Sequence, residues 1–128
     1  MLMLSRNSLL TMATSVAVVS SSIMVSSPAM ALNIFVCEPE WKALIHSHAP
    51  DAKIYSATTA KQDPHYVQAR PSLIAKMRQA DMAMCSGSEL EVGWLPMLQA
   101  RSGNPAVQNS SSGMLYSSDL VGMLDTHD

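Results

Sequence analysis

The chain has 128 residues, with 8 Lys and Arg against 10 Asp and Glu, and a formal charge of −2 with neutral histidines. A balance this mild offers no basic groove to a nucleic-acid backbone, and it identifies no charged partner either. The length fits one ordinary domain.

The amino-terminal residues read as a targeting segment. Arg6 precedes an apolar run over 9–25 broken only by Ser and Thr, and Pro28-Ala29-Met30-Ala31 follows. Ala29 and Ala31 form an A-x-A processing site, and the run is short and interrupted for a membrane span. Residues 1–31 are therefore expected to be a cleavable signal peptide, leaving 97 of the 128 residues from Leu32 onward. An uncleaved anchor is the other use of such a segment. An exported protein is expected, with no stable membrane insertion after processing.

Three apolar runs predict strands at 33–37, 52–57 and 81–85, and helical stretches separate them. Glu38-Pro39-Glu40 opens the first helix, with Trp41, Leu44 and Ile45 on one side, and Pro50 ends it. His46 and His48 near its end are two residues apart, so they do not share a helical face. Pro71-Ser72 starts the second helix, whose apolar stripe is Leu73, Ile74, Met77 and Ala80. A third is expected within 88–100 from Glu89 onward, with Gly93 and Pro96 marking a break; Glu89 and Glu91 read as acids near a helix start. Beyond Arg101, Val107 suits a short strand, and Ser117-Ser118-Asp119 could cap a last helix burying Leu120, Val121, Met123 and Leu124. Alternating strands and helices predict an α/β fold, a parallel sheet with flanking helices joined by right-handed crossovers.

Cys37 and Cys85 each end a strand-like run, so both fall at the same edge of one parallel sheet. In an oxidising compartment a disulfide is open to them, as is the state of two buried thiols; their spacing is not C-x-x-C.

The chemistry-bearing stretch is Thr58-Thr59-Ala60-Lys61-Gln62-Asp63-Pro64-His65-Tyr66, a long connection where the second strand gives way to a loop. Pro64 holds Asp63 extended. Alone, His65 offers one bond to a metal that wants about four ligands, and an ordinary turn with a surface histidine is the plain alternative. No G-x-S-x-G elbow, H-E-x-x-H pair or phosphate-cradling glycine run is present, so a non-enzymatic role is expected over a small metal-dependent hydrolase.

Several pieces occur in order: Cys37-Glu38-Pro39-Glu40-Trp41, Ala57-Thr58-Thr59, Gln62-Asp63-Pro64-His65, Ala69-Arg70-Pro71-Ser72-Leu73, Ala80-Asp81, Gly87-Ser88-Glu89-Leu90-Glu91 and Gly93-Trp94-Leu95-Pro96. Together they resemble the amino-terminal lobe of the periplasmic zinc- and manganese-binding proteins of ABC metal importers, the ZnuA and TroA type. The resemblance implies a single lobe, residues 32–128, of a two-lobed metal-receptor fold, with zinc or manganese as the transported ligand and an ABC permease membrane subunit as partner. It places the first metal-ligating histidine at His65, oriented by Asp63 or a backbone carbonyl. Glu38, Glu40 and Glu89 are the nearby acids that could help weakly. The family's second histidine lies in an Asn-Pro-His stretch, whereas Asn104-Pro105-Ala106 carries alanine, and the Asp-Thr-His-Asp around His127 is a poor match to later ligands. The expected function is divalent-metal capture for a permease, impaired in a truncated chain; the alternative is a secreted fragment without activity of its own.

Overall fold

The structure is a computed structural model, and residues 29–124 are described. The expected signal peptide falls almost wholly outside the described residues, as does His127. Strand β1 (Asn33–Val36) leads into helix α1 (Pro39–His48), then β2 (Lys53–Ser56), α2 (Pro71–Arg78), β3 (Met82–Cys85), α3 (Leu95–Ser102) and β4 (Met114–Tyr116). Every strand pairing is parallel, and the sheet order is β2-β1-β3-β4. The expected α/β architecture is thus present, with a fourth strand that the sequence did not single out.

Each helix begins with proline in its first turn, where the missing N–H costs nothing and the fixed φ suits the helix. Glu40 near the start of α1, and His46 and His48 in its last turn, complement the helix dipole. Pro96 therefore opens α3 rather than breaking a longer helix. Upstream of it, Gly87, Ser88 and Glu89 have φ of 82°, 51° and 68°, a left-handed run that a right-handed helix cannot include. The helix expected from Glu89 accordingly starts only at Leu95.

The pleat divides the strand side chains between two faces. Phe35, Cys37, Ala83, Cys85 and Met114 meet Leu73 and Met77 of α2 and Leu95 and Leu98 of α3, with Trp94 beside them. Leu73, Met77 and Leu98 are completely buried. Each such side chain contributes about 1.5–3 kcal/mol relative to exposure, so this layer is the main source of stability. On the opposite face, Ile34, Val36 and Met84 are covered by half-buried Trp41 and Ile45 of α1. No residue of α1 is fully buried and Leu44 is 46% exposed, so this second layer is thinner.

Asn104 ties the carboxyl end of α2 to the following turn. Its side-chain N–H groups donate to the carbonyls of Met77 at 2.9 Å and Ala80 at 2.7 Å, with a longer bond to Arg78, and its Oδ1 accepts from the Ala106 N–H. That last bond closes a 3-10 turn over Pro105–Val107, so Val107 is a buried turn residue and not a strand. The last expected helix is also replaced by a 3-10 turn, Ser117–Leu120. The Ser117 hydroxyl and the Ser118 N–H both donate to the Ser86 carbonyl instead of capping a helix. Leu120, Val121, Met123 and Leu124 consequently stay 61–86% exposed. Among the described residues no helix is long and apolar enough to cross a membrane.

Candidate functional site

The sheet order creates a reversal. From β1 the chain moves outward to β2, then returns past β1 to β3 and on to β4, with α1 and α2 on opposite faces. In such sheets ligands bind outside the carboxyl ends of the strands, at the point where the order reverses. Here that point lies between the ends of β1 and β3, and the loop after β2 emerges beside it.

The loop is pinned before it reaches His65. Ala57 and Thr58 continue the ladder by donating from their N–H groups to the Val36 and Cys37 carbonyls, and the Thr58 hydroxyl adds a 2.7 Å bond to the Cys37 carbonyl. Farther along, the Trp94 indole N–H donates to the Pro64 carbonyl at 2.7 Å. Trp94 is 2% exposed, so the loop is tied to the core at the residue before His65. Asp63 completes the turn: its Oδ1 accepts from the His65 backbone N–H at 2.9 Å and faces His65 Nδ1 at 2.7 Å. Those two contacts, the backbone one first, hold the Asp63 carboxyl below its usual range. Asp63 thus occupies the Nδ1 side of the half-exposed ring, and Nε2 makes no hydrogen bond among the described residues.

The second cluster fills the reversal itself. Cys37 and Cys85 are joined as a disulfide with Cα atoms 4.8 Å apart, which decides between the two states the sequence left open. Glu38 follows Cys37 and is 2% exposed. Its Oε2 accepts from the Trp41 indole N–H and the Ser86 hydroxyl, each at 3.0 Å, while Oε1 is buried without a hydrogen-bond partner among the described residues. Burial, and after it the neighbouring Glu91 carboxylate, push the Glu38 carboxyl up from the ordinary 4.5 to about 8. A neutral acid at pH 7 accounts for an oxygen buried without a charge partner.

Glu91, also 2% exposed, accepts from the Ser86 N–H at 2.8 Å and from the Gly87 N–H at 3.0 Å. It thereby holds the left-handed turn against β3. Gly87 is required there, since its φ is positive and a Cβ would run into the Ser118 hydroxyl. By sequence alone Glu91 groups with Glu89 as a helix-start charge, and the structure gives it the turn instead. The available signal was a strand end followed by Ser-Gly, whose exposed amides need an acceptor, with an acid four to five residues on.

The predicted helpers are dispersed by this arrangement. Glu38 is buried in the crevice, Glu40 is exposed on the first turn of α1, and Glu89 is exposed on the rim of a cavity of about 420 Å³ that Glu91, Tyr116 and Asp119 also line. Among the described residues, the one group of three ligand-type side chains close enough to share an ion is Cys37, Cys85 and Glu91; His65, Glu38, Glu40 and Glu89 are not in it.

The fold therefore defines a doubly wound α/β lobe with an exposed histidine in the loop that leaves the carboxyl edge of its sheet after β2. Neither any family model nor any curated protein matches the chain.

Proposed function

We propose that the chain captures a divalent metal, zinc or manganese, through His65, as the amino-terminal lobe of a periplasmic receptor that delivers metal to an ABC permease. The observation that supports this most is the His65–Asp63 pair: a carboxylate on Nδ1 fixes the ring and leaves Nε2 for a cation. The anchoring of Pro64 by Trp94 adds rigidity, which lowers the ordering cost of binding. The ordered motifs that resemble this receptor family point the same way. The metal is cargo in this reading, and no bond is made or broken in it.

One imidazole gives one coordination bond, and zinc wants about four. Capture by this chain is therefore weak, with water, another molecule or groups outside the described residues completing the shell. Competition of the chain with a chelating dye for zinc tests it. The expected result is poor affinity that His65→Ala abolishes and Asp63→Ala weakens about tenfold. Binding that survives intact in His65→Ala removes His65 as the ligand, and tight one-to-one binding lost in that variant overturns the impairment.

A further inference from the structure

We propose that Cys37, Cys85 and Glu91 form a second cation site, closed while the cysteines are disulfide-bonded and opened by their reduction. One ligand atom from each of the three residues lies within 4.8 Å of the others, at the reversal point of the sheet. Two thiolates and a carboxylate around one point suit a borderline or soft divalent cation, zinc or cadmium in preference to magnesium or calcium. The site stands apart from His65 and does not depend on the role proposed for that residue.

Three features make the arrangement more than a chance grouping. The cysteines sit on adjacent parallel strands in matching positions, one residue beyond the Val36–Met84 pair, so the sheet sets their separation whether or not they are bonded. Glu91 is fixed by the Ser86 and Gly87 N–H groups, which orient the carboxylate before any ion arrives. Glu91 also lines the cavity of about 420 Å³, so one of the three groups borders open space while both sulfurs are fully buried. The fourth position falls to water from that cavity.

The redox step balances with a dithiol reductant. Two electrons and two protons pass from the dithiol, which becomes a disulfide, and the Cys37–Cys85 bond becomes two thiols. The incoming cation displaces the two thiol protons. Reoxidation runs the sequence backwards and expels the ion, because a disulfide sulfur is a poor ligand.

Cobalt(II) is the probe, since thiolate ligation gives it an intense near-ultraviolet charge-transfer band. The full chain, reduced with a phosphine and checked by circular dichroism for retained fold, is titrated with cobalt and then with competing zinc. The band is expected at one equivalent in the reduced chain and absent in the oxidised one. Glu91→Gln should weaken cobalt binding about tenfold or more, and His65→Ala should leave the band unchanged. No band in the reduced chain overturns the proposal. A band of equal strength in Glu91→Gln also overturns it, since that is how two thiols in an unfolded chain behave.

Discussion

Glu38→Gln isolates the buried carboxyl at the end of β1. The substitution keeps shape and neutrality and removes the titration. Below about pH 4.5 the folded and unfolded chains both hold the Glu38 proton, and its contribution to stability is whole. As pH rises the unfolded chain releases that proton while the folded chain keeps it, until the folded group titrates at about 8. Stability therefore falls across this window. The window is about 3.5 pH units wide, and about 1.4 kcal/mol per unit sets a ceiling near 5 kcal/mol. The effective dielectric of about 20 that holds even at buried sites brings the expected loss down to about 2 kcal/mol. Urea unfolding of both chains from pH 4.5 to 8.5 measures it. Wild type should lose about 2 kcal/mol more than Glu38→Gln over that range. Parallel pH profiles would mean that Glu38 ionises alike in the folded and unfolded chains, and the account of its buried oxygen would fail.

Other expectations follow from single contacts. Asn104→Ala leaves the Met77 and Ala80 carbonyls without their donor in a buried site, and urea unfolding should record a loss of about 2–4 kcal/mol. Trp94→Phe removes the donor to the Pro64 carbonyl and part of the core filling, and should cost about 1–3 kcal/mol. Limited proteolysis should then cut within 58–70 faster relative to other sites; an unchanged cutting pattern would detach Trp94 from the order of that loop. Replacing both cysteines by alanine frees a covalent loop with a sequence separation of 48 residues, for which loop entropy gives about 4 kcal/mol. A loss under about 1 kcal/mol by urea unfolding would show that the unfolded chain gains little from release.

The first three strands were legible because each is a short apolar run bounded by turn residues, and the starts of the first two helices because proline tolerates only the first turn of a helix. His65 stood out through Asp-Pro-His, and of the two partners expected for its ring, Asp63 or a backbone carbonyl, the structure places Asp63 against Nδ1. The clamp on Pro64 was not, since Trp94 lies 30 residues away and an apolar pattern does not reveal where an indole N–H points. The carboxyl-terminal region defeated periodicity for a related reason. Ser117 and Ser118 look like helix caps, but the Ser86 carbonyl at the end of β3 claims their donors, a tertiary contact that overrides the local preference. Glu91 was misplaced because its partners are backbone amides of a left-handed turn, which a helical reading of 88–100 does not contain.

The cystine between β1 and β3 makes residues 37–85 a covalent ring, and the His65 loop is an arc of that ring. A single cut in the exposed arc would leave both halves attached to one another and still docked on the same sheet. The His65 segment can thus be nicked, and its new ends lengthened or spliced to foreign sequence, while the chain remains one molecule until a reductant parts it.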